Sequence, residues 1–296
     1  LHINLLNTKL EFAMFTSIYK DTLFKDKVII VTGGGSGIGR CTAHELASLG
    51  AYVILIGRSL EKLENVAAEL QNDGYACDFY SVDIRDSDVI KIAISDILSK
   101  HRKIDGLVNN AGGQFPSKLE NISDKGWEAV IKNNLNGGFY MMREVYNLYM
   151  KEHGGAIVNI VATTAYGMPH MAHTGAARAG MVNLTQTAAL EWVHSGVRVN
   201  AVAPGSVASS GMETYPEEFK VKLRERRHQV PMKRQATEAE ISSAIVYLLS
   251  DGAAYITGET LAVDGGLPLA KENWSVPEHN KCKPNEGFHL YKAPLI

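Results

Sequence analysis

Cysteine is scarce. Cys41, Cys77 and Cys282 are the only three in 296 residues, with neither a C-x-x-C pair nor the dense spacing of a secreted disulfide scaffold, which excludes a stapled mini-domain and fits a reducing compartment. Long apolar runs are also missing. None approaches the roughly 20 residues that span a bilayer, and the first residues lack the basic and apolar regions of a secretory signal. The chain ends Pro294-Leu295-Ile296 rather than in an SKL-like peroxisomal signal. The expectation is a cytoplasmic protein without a membrane partner. An excess of one charge is absent as well: 30 Lys and Arg against 32 Asp and Glu leave a net charge of -2. That gives no general attraction to nucleic acid, which is therefore not an expected partner.

What is present is ordinary globular material, 45% hydrophobic and 21% charged, enough to bury a substantial core. Apolar runs with β-branched residues alternate with amphipathic stretches. Lys27 to Thr32 reads as a first buried strand, followed by a helix from Gly37 that Gly50 ends. Ala51 to Ile56 is a second strand, Ser59 to Gln71 a helix, Ala76 to Val82 a third strand, and Ser87 to His101 a helix. Strands then follow at Ile104 to Asn109, Ala156 to Val161, Val197 to Ala203 and Thr260 to Val263, with helices at Ser123 to Lys151, Gly175 to Trp192 and Glu238 to Leu249 between them. Regular alternation with right-handed crossovers predicts an α/β fold: a doubly wound parallel sheet of Rossmann type, about seven strands with helices on both faces. No repeat or linker divides the chain, so residues 25–266 are expected to form one domain. Residues 1–24 read as an N-terminal arm, and Leu1 to Ala13, preceding Met14, as an extended start or a flexible segment. Residues 267–296 read as a tail, loose or wrapped on a neighbouring subunit.

Directly after the first strand stands Thr32-Gly33-Gly34-Gly35-Ser36-Gly37-Ile38-Gly39, opening into a helix. Glycines allow a tight turn and close approach of a pyrophosphate to main-chain N–H groups, and the helix N-terminus adds partial positive charge. A glycine cluster alone is a loop; between a strand and a helix it predicts a dinucleotide site. The spacing is not GxGxxG. It resembles the TGxxxGxG turn of short-chain dehydrogenases/reductases, and three further stretches resemble that family in order: Asn109-Asn110-Ala111-Gly112, Pro204-Gly205 and Asp264-Gly265-Gly266. The resemblance spans roughly Lys25 to Gly266. It implies that Gly33, Ser36, Gly37, Ile38 and Gly39 hold pyrophosphate, that Asp83 and Ile84 flank adenine, that Asn110, Ala111 and Gly112 line the cofactor trough, and that Pro204, Gly205 and Val207 approach the nicotinamide.

The choice between NAD and NADP rests on the end of the second strand, where an acidic residue would accept from a ribose 2′-hydroxyl and repel a 2′-phosphate. Gly57 and Arg58 stand there, and arginine offers a permanent cationic fork to phosphate. NADP(H) is the expected cofactor; the alternative for Arg58 is an exposed residue starting the next helix.

The catalytic stretch departs from the family. Where the family carries Tyr-x-x-x-Lys, this chain has Thr174 and Arg178 in His173-Thr174-Gly175-Ala176-Ala177-Arg178. Arginine can hold ribose hydroxyls and stabilise negative charge, but shuttles protons poorly. Tyr166 is the candidate acid, its alternative being an aromatic packed under the loop. Asn134 matches the family asparagine that organises a water relay. His170 and His173 lack accompanying carboxylates or cysteines, so no metal is expected.

Reduction of an enoyl thioester mainly needs donors for the developing enolate oxygen, and tolerates loss of a Tyr-Lys pair better than alcohol oxidation does. Gly112-Gly113-Gln114-Phe115, Met150 to Gly155 and Gly175 to Gly180 resemble the peroxisomal trans-2-enoyl-CoA reductase branch, with 2,4-dienoyl-CoA reductases more distant. Bacterial dehydrogenases of acyclic terpene alcohols share that branch. The expected function is therefore NADPH-dependent reduction of enoyl-CoA; the alternatives are an NAD(P)-dependent dehydrogenase of a medium-chain or branched alcohol or aldehyde, and a non-catalytic NADP-binding regulator. The basic segment Lys220 to Arg234 offers either attraction for coenzyme A phosphates or a solvated helix. The family resemblance also implies a homo-oligomer, a dimer or tetramer.

Overall fold

The computed structural model describes residues 14–164, 167–271 and 273–294. Its strands are β1 (Val28–Thr32), β2 (Tyr52–Gly57), β3 (Cys77–Ser81), β4 (Gly106–Asn109), β5 (Gly155–Ile160), β6 (Val197–Pro204) and β7 (Thr260–Val263). They form one sheet of order β3-β2-β1-β4-β5-β6-β7, and every pairing is parallel. The expected Rossmann-type sheet is what the chain builds. Strand order reverses between β1 and β4, and a crevice opens there at the carboxyl ends, where such sheets bind ligands.

The helices α1 (Gly37–Ser48), α2 (Leu60–Asn72) and α3 (Ser87–His101) come after the first three strands. Side chains of β1 alternate, as the two-residue period of a strand requires. Ile29 and Val31 join the core under α1, α2 and the last helix, whereas Val28 and Ile30 join the opposite core under α3. With both faces covered, the inner strands β1 (VIIVT) and β2 (YVILIG) are almost wholly apolar. Asp86 caps α3 by accepting from the Asp88 and Val89 N–H groups.

After β4 the expected single helix is instead a rod interrupted twice: α4 (Asp124–Ile131), a π turn at Lys132–Asn136, α5 (Gly137–Val145), a second π turn at Tyr146–Met150, and α6 (Lys151–His153). A π turn carries an extra residue and shifts the register of the helix beyond it. The first lets Gly137 face Ile84, where a Cβ would stand 2.6 Å from the Ile84 Cδ1. Helix α7 (Ala172–Trp192) begins three residues before Gly175. α8 (Glu217–Arg226) occupies part of the basic segment. α9 (Glu238–Leu249) opens on a Thr237–Glu240 capping box, which satisfies two N-terminal donors at once.

Residues 273–294 fold back on their own chain. Arg234 donates to the Cys282 and Lys283 carbonyls, Thr237 to the Asn285 carbonyl, and Tyr291 to the Ala208 carbonyl. Thr16 N–H donates to the Gly287 carbonyl, so the two ends of the described chain meet. Phe288, 3% exposed, fills a small core with Phe15, Cys41 and Ala239 and lies 5.0 Å below the Arg40 guanidinium. Truncating a buried phenylalanine removes both transfer energy and packing. Phe288→Ala is expected to lower the free energy of unfolding by about 3 kcal/mol in chemical denaturation, whereas Trp274→Ala, at a position 77% exposed, should change it by about 0.5 kcal/mol or less.

Candidate active site

The site is assembled on the ends of β1 and β4. The Thr32 hydroxyl donates to the Val108 carbonyl at 3.2 Å and accepts from the N–H groups of Asn110 and Ala111, both at 3.0 Å. Asn110 Nδ2 donates back to the Thr32 carbonyl at 3.0 Å. One buried hydroxyl thus satisfies the backbone of the loop leaving β4 and holds it against the glycine turn leaving β1. The closeness is tight: a Cβ at Gly33 would stand 2.8 Å from Asn110 Nδ2, and Gly33 itself has φ +66. A Cβ at Gly39 would collide with the Gly33 carbonyl, so the third glycine seats the first turn of α1 on the loop rather than facing a ligand.

A cleft of about 980 Å³ opens above these ends, within the size range of sites that hold small molecules and cofactors. Gly33, Ser36, Gly37, Ile38, Arg58, Ile84, Asn110, Ala111, Gly112, Thr174, Arg178, Pro204, Gly205 and Val207 all line it. The sequence-expected set is thereby brought together, with four exceptions. Gly39 lies behind the turn. Asp83 turns to Arg85, whose guanidinium donates to it and holds its carboxyl below the usual range. Asn134 is buried in the first π turn. Tyr166 lies outside the described residues.

At the mouth of the glycine turn, α1 starts with no side-chain cap from Ser36 and no acidic residue in its first turn. Its leading N–H groups are therefore directed at the cleft, and this fits an anionic pyrophosphate. At the end of β2, Arg58 is joined by Lys62, which also lines the cleft. The sequence reading missed Lys62 because its relevance arises only when the first turn of α2 is placed beside Arg58.

The floor is made by Arg178, Gly112 and Asn134. Arg178 Nη1 donates to the Ile160 carbonyl at the end of β5, at 2.6 Å, and no carboxylate pairs with it among the described residues. Burial pulls its pKa down to about 10, still well above neutrality, so it presents a cation in a poorly solvated place. Asn134 accepts from Gly113 N–H at 2.8 Å and donates to the Gly113 carbonyl at 2.9 Å. A Cβ at Gly112 would sit 2.5 Å from Arg178 Nη2 and 2.8 Å from Asn134 Oδ1. A side chain at position 112 would displace the Arg178 guanidinium or the Asn134 amide from the floor.

Thr174, 1% exposed, lines the same floor. Its N–H donates to His173 Nδ1 at 2.8 Å, and its hydroxyl lies 3.3 Å from the same nitrogen. An accepting Nδ1 places the imidazole proton on Nε2. Burial lowers the His173 pKa, opposed by the Phe115 carbonyl, so the imidazole is neutral near neutrality. Among the described residues, no group of three or more His, Cys, Asp and Glu could hold a metal.

The far end of the cleft is apolar, lined by Met168, Met171, Met212, Phe219 and Leu223. Gln114 bridges its two rims by donating to the Tyr215 hydroxyl at 2.6 Å. Methionines and loop positions carry no periodic signal, which is why sequence reading did not find this wall. The basic segment is mostly committed elsewhere: Lys220 and Arg224 pair with Glu217, Lys233 with Glu278, and Arg234 with Glu240. Of its cations, Arg226 lines the cleft.

Comparison with known proteins agrees with this geometry. A family model described as enoyl-(acyl carrier protein) reductase matches residues 33–268. A peroxisomal 2,4-dienoyl-CoA reductase of Danio rerio is 35% identical over 88% of this chain and 87% of its own. A probable 2,4-dienoyl-CoA reductase of Bacillus subtilis is 35% identical over 81% and 96%. Among solved structures, a citronellol catabolism dehydrogenase of Pseudomonas aeruginosa superposes with a TM-score of 0.77 at 51% identity, covering 85% of this chain and 98% of that one. Among the described residues, no helix is long and apolar enough to cross a membrane.

Thr32 gives the assembly a direct test. Thr32→Val keeps the shape but leaves the Asn110 and Ala111 N–H groups without their acceptor, a loss of about 1–3 kcal/mol. Denaturant unfolding should register that loss, and equilibrium titration with NADPH should show weakened binding.

Proposed function

We propose that this chain, which belongs to the short-chain dehydrogenase/reductase family of oxidoreductases, is an NADPH-dependent reductase of the 2,3 double bond of enoyl-CoA thioesters. The observation that carries this reading is the Thr174–Arg178 pair standing where the family has Tyr and Lys, with a half-buried guanidinium that no carboxylate pairs among the described residues. When bound, the dinucleotide supplies the hydride. Arg178 and the Thr174 hydroxyl are the donors that face a thioester oxygen as negative charge develops on it. Preorganised donors in a poorly solvated site stabilise such charge strongly, and losing one costs about 100- to 1000-fold in rate. Asn134 fixes the loop against which the substrate lies through its two bonds to Gly113. The wall of Met168, Met171, Met212, Phe219 and Leu223 receives the acyl chain, and unbranched, polarizable methionines adapt to different chain shapes. Tyr166 is retained as the candidate proton donor.

NADP(H) as the cofactor rests on Arg58 and Lys62, two cations on the cleft at the end of β2, where an acidic residue would select against a 2′-phosphate. The same reading has the enzyme working in the cytoplasm as a homodimer or homotetramer; Leu190 and Val193 are 79% and 53% exposed on and just after α7, apolar surface suited to a second copy.

A second reading, oxidation of a branched or medium-chain alcohol, is favoured by the 51% identity to the citronellol catabolism dehydrogenase. In it, the hydride of the alcohol passes to the oxidised dinucleotide, and the Thr174 hydroxyl, 3.3 Å from His173 Nδ1, positions the substrate hydroxyl.

Consumption of NADPH at 340 nm with crotonyl-CoA and longer enoyl-CoAs, beside a panel of aldehydes, separates the two. Thioester turnover is expected, and turnover of aldehydes alone would reverse the order. Arg178→Met should cut thioester turnover by about 100-fold or more with the fold retained by circular dichroism. Arg58→Ala and Lys62→Ala should each raise the Kd for NADPH well above any change for NADH; equal losses for both would remove the phosphate contact.

A further inference from the structure

Behind the glycine turn lies a carboxyl group that the reaction does not use. Glu238, in the first turn of α9, is 4% exposed, and its Oε1 stands 3.7 Å from where a Cβ on Gly37 would be, with Ser210 Oγ at 3.8 Å. Gly37 opens α1 and lines the cleft. An acidic side chain from α9 therefore reaches the same helix head whose N–H groups would hold a pyrophosphate, although α1 contributes no acid of its own there.

The neighbours of Glu238 do not neutralise it by an ion pair. From α1, Arg40 attracts it at longer range but donates both Nε and Nη2 to Glu69, at 2.7 and 2.9 Å. Cys41, also on α1, is a buried thiol whose own pKa is raised by burial and by Glu238. From the segment Ser210–Thr214, the Ser210 backbone bonds to Glu238, and from the tail Tyr291 approaches with its hydroxyl engaged on Ala208. Glu240, two residues on, is held by Arg234.

We propose that Glu238, behind the helix head that forms the dinucleotide's pyrophosphate site, must be a neutral acid when the cofactor binds, so that binding is coupled to uptake of a proton by this residue. The proposal rests on the dinucleotide reading of the cleft and on no assumption about the substrate. The electrostatics require the coupling. A pyrophosphate dianion and a carboxylate competing for the same helix N-terminus, in a region largely closed to water, repel each other far more than they would in solvent. The protonated acid removes the repulsion.

Burial pushes the Glu238 carboxyl up to about 7, with Arg40 and the Ser210 backbone pulling partly the other way. The free protein is thus poised to change charge at neutral pH, and the bound cofactor moves that change to higher pH. By linkage, affinity is full below about pH 7 and falls as pH rises through it. Among the described residues lining the cleft there is no histidine, the side chain that ordinarily titrates in this range.

The test uses NADH, which lacks a 2′-phosphate that itself titrates. Its Kd is measured by fluorescence at pH 6, 7 and 8 for the wild-type chain and Glu238→Gln, with calorimetry in two buffers of different protonation enthalpy. The wild-type Kd is expected to rise about tenfold between pH 6 and 8, with about half a proton taken up at pH 7. Glu238→Gln should hold the pH 6 affinity across the range with no uptake. A flat wild-type profile, an unchanged slope in Glu238→Gln, or zero proton uptake by the wild type would overturn the proposal, and the last needs no variant to fold. Absence of NADH and NADPH binding at every pH would instead overturn the dinucleotide reading.

Discussion

Everything at the carboxyl edge of the sheet depends on the hydroxyl of Thr32. By satisfying the Val108 carbonyl and the N–H groups of Asn110 and Ala111, it fixes the gap between β1 and β4, which is the point where strand order reverses. The glycine turn, the loop from Asn110 to Gly113 and the helix rod behind that loop are all referred to this gap. Asn109 extends the same logic inward: it donates to Asn159 on β5, which donates to Thr185 on α7. The helix that carries Thr174 and Arg178 is thus tied to the strands that carry the phosphate turn. Buried donors satisfied in this way define one arrangement, because any slip leaves one of them without its acceptor in the core.

The fold was readable from the sequence because its period changed regularly between strand and helix, and because inner strands such as β1 and β2, buried on both faces, are almost wholly apolar. The cofactor half was readable for a different reason: glycines are forced where backbone meets backbone, as at Gly33 and Gly39. What could not be read was anything created by three-dimensional juxtaposition of ordinary residues. Lys62 looks like a helix surface lysine until α2 places it beside Arg58. The π turn that buries Asn134 carries no sequence mark, and it changes which side of the rod that residue faces. The basic run Lys220 to Arg234 overstated its free charge, since Glu217, Glu240 and Glu278 pair with four of its seven lysines and arginines.

The two halves of the cleft are built on opposite principles. The half under the glycine turn presents backbone dipoles, with Arg58 and Lys62 beside them at the end of β2 and the Glu238 carboxyl behind. The catalytic half concentrates uncompensated positive charge at Arg178, at the end of β5, next to a threonine whose hydroxyl is weakly acidic. This arrangement suits a reaction in which negative charge accumulates on a substrate oxygen more than one that needs a strong base. Thr174 backed by His173 is the feature that keeps alcohol chemistry in view.

The most direct test of this account is the fate of the transferred hydrogen. With crotonyl-CoA and NADPH deuterated at the transferred position, NMR of the product should show deuterium on the β-carbon of butyryl-CoA. Absence of label there, together with label on the carbinol carbon when an aldehyde is supplied, would contradict it.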